Sequence, residues 1–192
     1  VISAVHATPG HTSPGLDDWR AHELKALPPA VLDTLAALLR EFEARALWPR
    51  IMCDTYTTLI PKEASAGRIL EPGELRPISV TSLLYRIWGR VRAANLGECL
   101  EAVLPSDVHG FRSGYGCPNA WMPVQAALDS ARLSDEVLYL AAFDLSKAFD
   151  RVPLVMILHL MHTLGLPPTF IAAVRAWHLK LRRAWRLRNA IS

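Results

Sequence analysis

The residues best suited to chemistry stand together in Phe143-Asp144-Leu145-Ser146-Lys147-Ala148-Phe149-Asp150. They follow Val137–Phe143 (VLYLAAF), a continuous apolar run with the pattern of a strand buried on both faces. A carboxylate at the end of such a strand is unusual, because desolvating an ionised Asp is costly unless a partner compensates. A divalent cation is one such partner, and Mg²⁺ takes one or two carboxylates together with substrate phosphates. Such an ion activates an attacking hydroxyl and stabilises a leaving pyrophosphate. The competing reading is an Asp that caps the next turn. One Asp cannot hold two metals, so a second carboxylate is needed for that chemistry.

The elements that must position this segment can be read from pattern and breakers. Thr12-Ser13-Pro14-Gly15 is a turn signal, followed by a short helix around Trp19 to Lys25. Pro28-Pro29 opens a longer helix with Leu32, Leu35, Leu39 and Phe42 at helical spacing, and Trp48-Pro49 ends it. Tyr56–Ile60 (YTTLI) is a strand, and a loop from Glu63 to Glu74 leads to the extended Arg76–Val80. Thr81 or Ser82 caps a helix reaching about Leu104. Pro105 to Cys117 is a Gly-containing loop, and Asn119–Leu133 is helical despite Pro123. Helices over Pro153–Leu164 and Pro167–Arg183 follow, and the Arg/Trp-rich end begins another strand. Strands and helices without regular alternation predict an α+β chain.

Half the residues are hydrophobic (51% of 192), enough for a real core in one or two globular units. The net charge of +3 hides an asymmetry. Residues 1–150 hold 14 basic and 18 acidic side chains, whereas residues 151–192 hold seven basic and none acidic. That imbalance points to a polyanionic partner, or else to a solvated Arg-rich helix end. Cys53, Cys99 and Cys117 form no CxxC pair and suggest reduced thiols in an intracellular protein. Leu154 to Leu166 is too short to span a bilayer, and no signal peptide is evident at Val1.

Four segments in order give the chain a specific resemblance. Ser13-Pro14-Gly15-Leu16-Asp17, then Leu59-Ile60-Pro61-Lys62 with Leu75-Arg76-Pro77-Ile78-Ser79, then His109-Gly110-Phe111-Arg112-Ser113-Gly114, resemble the first three fingers motifs of reverse transcriptases. The Asp144 segment, with Phe149 five residues on, is similar to their motif A, particularly in non-LTR retrotransposons and group II introns. The resemblance implies the fingers (residues 1–134) and the first part of the palm (135–192) of a right-hand polymerase, its palm sheet incomplete.

The implied activity is RNA-directed DNA polymerisation, extending a DNA primer on an RNA template with deoxynucleoside triphosphates. The implied cofactor is Mg²⁺, two ions in the complete enzyme, with Mn²⁺ as a substitute. Asp144 and the carbonyl of Leu145 are the implied metal ligands. Lys62 and Arg76 are implied to bind the triphosphate, the amides near Lys147 and Ala148 to touch phosphate, and Phe149 to exclude a 2′-hydroxyl. A point-charge Lys and a forked Arg suit phosphate oxygens. Arg112 is a candidate contact to template or primer backbone.

Each residue has a plainer alternative. Phe149 also reads as a core aromatic, Lys62 as a loop residue, Arg76 as paired to Glu71 or Glu74, Arg112 as a structural Arg, and Asp150 as a helix cap. Val108 stands where many relatives carry Gln. The family's Tyr/Phe-x-Asp-Asp and Gln-Gly motifs occur nowhere in these residues. The expectation is therefore a fragment, with a catalytically inactive nucleic-acid-binding remnant as the alternative. A metal-dependent nuclease lacks the cluster of Asp, Glu and His that it would need. A nuclear location follows from the resemblance alone.

Overall fold

The structure, a computed structural model, describes residues 1–63, 70–187 and 190–191. Its helices and strands, in chain order, begin with α1 (Ile2–His6), α2 (Ala21–Ala26), α3 (Pro29–Ala44), α4 (Arg50–Cys53), β1 (Asp54–Pro61) and β2 (Leu75–Val80). They continue with α5 (Leu83–Glu101), α6 (Cys117–Leu133), α7 (Ala148–Arg151), α8 (Leu154–Thr163), α9 (Pro168–Lys180), β3 (Arg182–Leu187) and β4 (Ala190–Ile191). Mixed helices and a small sheet agree with the expected α+β class. Two compact units result: Val1–Val91 with Val152–Ser192, and Arg92–Arg151.

In the first unit the strand order is β2-β1-β3-β4. β1 and β2 pair antiparallel from Tyr56↔Val80 to Pro61↔Leu75. β1 and β3 pair parallel from Asp54↔Arg182 to Thr58↔Arg186. A parallel pair requires a long crossover, so β3 reaches β1 only after the helices between them have been placed. Two indoles fasten α9 to the N-terminal half. Trp48 Nε1 donates to the Ala173 carbonyl at 2.8 Å, and Trp177 Nε1 donates to the Met52 carbonyl at 2.8 Å. The Tyr85 and Trp177 rings stack with centroids 4.0 Å apart, and Trp48 meets Trp88 edge-on at 4.8 Å. Both indoles are buried, so each N–H needs the acceptor it has found.

The Ser13–Asp17 turn is held by β1 and by the start of α5 with its cap. Tyr56 Oη donates to the Pro14 carbonyl at 3.2 Å, and an Arg86 terminal nitrogen donates to the Ser13 carbonyl at 2.6 Å. Asp17 Oδ2 accepts from Ser82 Oγ at 2.7 Å and from the Leu83 amide at 3.0 Å. Ser82 Oγ in turn accepts from the Tyr85 amide at 3.3 Å, which makes it the cap expected for α5. An anion at a helix N-terminus is also favoured by the helix dipole. Burial lowers the Arg86 pKa, an effect opposed by the nearby Asp17 carboxylate. Gly15 makes this packing feasible. A Cβ there would lie 2.6 Å from the Thr81 carbonyl oxygen and 2.7 Å from Ser82 Cα, both backbone.

The second unit contains no buried residue among those described. Its best-satisfied side chain is Arg112, whose side chain is only 7% exposed. Its Nε and one terminal nitrogen donate to both carboxylate oxygens of Glu101, at 3.1 and 2.5 Å. Its other terminal nitrogen donates to the carbonyls of Pro105 and Val108 at 3.0 and 2.9 Å. The guanidinium lies 4.2 Å from the Tyr115 ring centroid. These contacts tie the loop after α5 back onto the helix end.

One expectation is overturned. Val137–Phe143 forms no strand, and Phe143 is 94% exposed. A strand needs a lateral partner for its amides and carbonyls, and an apolar run buried on both faces also needs two covering layers. Among the described residues the unit offers only helices and loops, none of them buried. The expected helix to Leu104 stops at Glu101, and α9 ends at Lys180 rather than Arg183. The central part of the expected 63–74 loop lies outside the described residues, as does the Asp150 side chain.

Asp17→Ala removes the acceptor at the start of α5 and should destabilise the chain by about 1–3 kcal/mol. Gly15→Ala should cost at least as much, about 1–3 kcal/mol, by overpacking against backbone. Denaturant midpoints at unchanged slope are the measure, with Gly10→Ala as the comparison, since nothing lies within 4 Å of a Cβ there. Equal midpoints for the Gly15 and Gly10 variants would contradict the packing described.

A second expectation concerns pH. The hydrogen bond from Arg112 holds the Glu101 carboxyl below its ordinary value. A carboxyl depressed in the folded state contributes stability above its unfolded pKa and loses it as pH falls through the folded one. An NMR titration of Glu101 should therefore show a midpoint below the usual Glu value of about 4.3. Arg112→Ala should raise that midpoint; an unchanged midpoint would deny the pairing.

Candidate functional site

In the first unit, antiparallel pairing of β1 and β2 carries Lys62 and Arg76 to the loop end of one hairpin. Arg76 is the register partner of Ile60, and Lys62 follows Pro61 directly. The Lys62 amide donates to the Glu74 carbonyl at 2.9 Å, and its ammonium donates to the Gly73 carbonyl at 2.6 Å. An ammonium has three donors, so this bond leaves others available. Shortly before Arg76 lies the 3₁₀ segment Pro72–Glu74, where the Glu74 carboxylate accepts from the Glu71 amide at 2.9 Å. Lys62 and Arg76 are both exposed. The structure thus brings together the two cations expected to meet a triphosphate.

In the second unit, Asp144, Leu145 and Lys147 lie on an exposed irregular segment that enters α7 at Ala148. The desolvation argument for Asp144 does not hold, because its carboxylate is in solvent rather than at the end of a buried strand. Lys147 adopts φ +53°, a left-handed conformation that costs a non-glycine residue on the order of 1 kcal/mol. The Arg151 amide closes this turn on the Lys147 carbonyl at 3.1 Å. Phe149 is 86% exposed, which removes its reading as a core aromatic. Its ring meets the fully exposed Phe111 edge-on, centroids 6.5 Å apart. Phe111 also has a positive φ, +62°, so the backbone of the Gly110–Gly114 loop holds that ring beside Phe149. Arg112, next along, is committed to Glu101 and two carbonyls, leaving its guanidinium little capacity for a nucleic-acid phosphate.

Asp144 and the Leu145 carbonyl are oxygen donors, a set that suits a hard cation such as Mg²⁺. No group of three His, Cys, Asp or Glu side chains is gathered among the described residues. Substrate phosphates and at least one further carboxylate would have to complete the coordination. Sequence reasoning missed Tyr56 and Arg86, whose partners come from distant segments, and Glu101, whose partner Arg112 lies in the next loop. It also missed Phe111 as the neighbour of Phe149. No helix of the described residues is long and apolar enough to cross a membrane.

Comparison with known proteins follows the same segments. The sequence model described as "Reverse transcriptase (RNA-dependent DNA polymerase)" matches residues 60–189, more than half of the chain. The matched stretch includes Lys62, Arg76, Arg112, Asp144 and Phe149, whereas the Ser13–Asp17 turn lies before it. The chain is similar to a retrovirus-related Pol polyprotein from the type-1 retrotransposable element R2 of Nasonia vitripennis. The two are 32% identical over 119 residues, 62% of this chain and 11% of that protein. It is 27% identical over 154 residues to a probable RNA-directed DNA polymerase from transposon BS of Drosophila melanogaster, covering 79% of this chain and 17% of the relative. A Pol polyprotein from the type-2 retrotransposable element R2DM of the same fly is 27% identical over 168 residues, 85% of this chain and 15% of the relative. The chain therefore spans under a fifth of the length of these relatives. From the match over residues 60–189 and the relatives that share it, the chain belongs to the reverse transcriptase (RNA-dependent DNA polymerase) family.

Proposed function

We propose that the chain supplies the nucleotide-binding fingers and the first metal-binding carboxylate of an RNA-directed DNA polymerase. Its substrates in this reading are deoxynucleoside triphosphates and a DNA primer paired to an RNA template. The observation that carries the proposal is the placement of Lys62 and Arg76 together at the loop end of the β1–β2 hairpin, inside the family-matched stretch. The printed names of the relatives, a polymerase and two Pol polyproteins of retrotransposable elements, support the same activity.

Lys62 and Arg76 neutralise the triphosphate, the first as a point charge and the second as a planar fork. Asp144 and the Leu145 carbonyl would hold a divalent cation, Mg²⁺ or Mn²⁺. When bound, that cation lowers the pKa of the attacking primer hydroxyl and offsets charge on the leaving pyrophosphate. Amides of the turn at Lys147 and Ala148 offer further donors to phosphate. Phe149, kept in solvent rather than in a core, is free to pack under the sugar and exclude a 2′-hydroxyl. Arg112 positions its loop, and with it Phe111, rather than meeting the template itself.

Functionally, residues 1–134 are read as fingers and 135–192 as the start of the palm. Packing cuts differently, because β3 joins β1 and so groups 152–191 with the first 91 residues. The alternative of a binding remnant without catalysis draws on one observation: the described residues gather no cluster of metal-binding side chains. By itself the 192-residue chain should extend no primer, since two-metal transfer needs carboxylates these residues lack.

In a longer parent that extends primers, Asp144→Asn should lower extension by orders of magnitude while leaving RNA affinity nearly unchanged. Retention of half the activity would remove Asp144 from the reaction.

Phe149→Ala should admit ribonucleotides, read as a smaller ratio of kcat/KM for deoxyribo- over ribonucleotides. Because the ring is exposed, the variant should keep its stability within about 0.5 kcal/mol. Unchanged discrimination in the folded variant would leave Phe149 without a role in sugar selection.

A further inference from the structure

In the second unit the Phe111 ring is fully exposed, although Phe is among the side chains that most favour burial. Its backbone sits at φ +62°, a region that a bulky residue occupies only under constraint. Gly110 and Gly114 flank it closely, and either would take that conformation without strain. The neighbouring ring is Phe149, set at 80° to it with centroids 6.5 Å apart, and that ring is exposed as well. Strained backbone that presents an apolar ring to solvent, with no core to receive it, marks a working surface rather than packing.

The loop that carries Phe111 is anchored through the next residue. Arg112 donates to both carboxylate oxygens of Glu101 at the end of α5, and to the carbonyls of Pro105 and Val108. The Tyr115 ring packs on the same guanidinium, and the Tyr115 amide closes a turn on the Arg112 carbonyl at 3.4 Å. With Arg112 fixed in this way, the ring before it has little freedom to fold back. On the other segment, Phe149 stands two residues beyond Lys147, whose φ of +53° begins the turn into α7. Two stretches far apart in sequence thus each use a left-handed residue to bring an exposed ring to the other.

We propose that Phe111 is a second specificity-determining residue of the nucleotide site, bracing the Phe149 ring edge-on, and that Glu101 is a positioning residue acting through Arg112. The inference rests on the reading of Phe149 as the sugar selector and names what makes that selection strict. An exposed ring alone can change rotamer, and a wall that turns aside does not exclude a 2′-hydroxyl. A second ring at right angles opposes that turn, because the electropositive edge of one aromatic is attracted to the negative face of the other. Glu101 enters because its carboxylate is the tie between the Phe111 loop and α5. Without it Arg112 keeps only the two carbonyls of its own loop.

The test compares kcat/KM for deoxyribo- and ribonucleotides in a longer parent that extends primers, with Phe149 ring resonances followed by NMR in the 192-residue chain. Phe111→Ala should narrow the deoxyribo-to-ribo ratio about two- to tenfold, the factor that an edge-to-face ring pair corresponds to. It should also shift the Phe149 resonances. Phe111→Tyr keeps the ring and should keep the ratio, whereas Glu101→Ala should narrow it in the same direction as Phe111→Ala. Trp121→Ala, which removes another exposed aromatic of the unit, should change neither readout. The double variant at Phe111 and Phe149 should discriminate no worse than Phe149→Ala alone, since one ring acts through the other. Melting curves establish that each variant is folded. A wild-type ratio for Phe111→Ala beside a lost ratio for Phe149→Ala would overturn this inference and leave the sugar-selection reading standing. Wild-type ratios in both variants would sink the two together, and Phe149 resonances indifferent to Phe111→Ala would deny the bracing contact itself.

Discussion

The carboxylate of Asp17 joins a turn near the N-terminus to the junction of β2 and α5, and much of the first unit depends on that junction being fixed. β2 must end where α5 begins, because Ser82 and Leu83 both donate to Asp17. With that end held, β2 pairs along β1 in one register and Arg76 falls opposite Ile60. The same turn takes the Tyr56 hydroxyl, whose ring supports the Arg186 guanidinium. A motif that lies before the family-matched stretch is thereby connected to two cations within it, Arg76 and Arg186. Its contribution is positional: Gly15 allows the close approach, and Asp17 supplies the charge that a helix start favours.

The two units place their chemistry on different physical supports. The hairpin of Lys62 and Arg76 stands on a sheet backed by buried indoles, each with its N–H satisfied by a carbonyl or carboxylate. The segment of Asp144 and Phe149 has no such backing among the described residues. What fixes it locally is backbone geometry, with Lys147 and Phe111 both in the left-handed region, and the Arg112 pairing that ties down the neighbouring loop. Positions that depend on a few turns have lower local stability than positions set in a packed core.

Most regular elements were legible because local signals marked them: Pro29 at the start of α3, Ser82 before α5, and the β-branched Tyr56–Ile60 in β1. Helices α1 and α4 escaped notice because five and four residues are too few to display a helical period. Val137–Phe143 shows the opposite failure. An apolar run records that a segment is suited to burial, but it cannot say whether the same residues supply the layers that bury it. Lys62 and Arg76 could be read from short motifs, since each lies beside the residues that define it. The seat of Arg186 against Tyr56 could not, because its face is set by a parallel register with Tyr56 and Thr58, far away in sequence. The plainer reading of Arg112 could be decided only by geometry, with Glu101 and two carbonyls converging on one guanidinium.

The first unit is discontinuous: its core is shared between residues up to Val91 and residues from Val152 onward. Its main long-range ties, the Trp48 and Trp177 hydrogen bonds and the β1–β3 pairing, all bridge that interruption without using any residue inside it. Closing a flexible connection costs only about 0.6 kcal/mol more for each doubling of its length. Insertions or deletions in the loops between Glu101 and Val152 would therefore be felt weakly by the core. Evolution can remodel the stretch that carries Asp144 and Phe149 while the sheet bearing Arg76 is inherited intact.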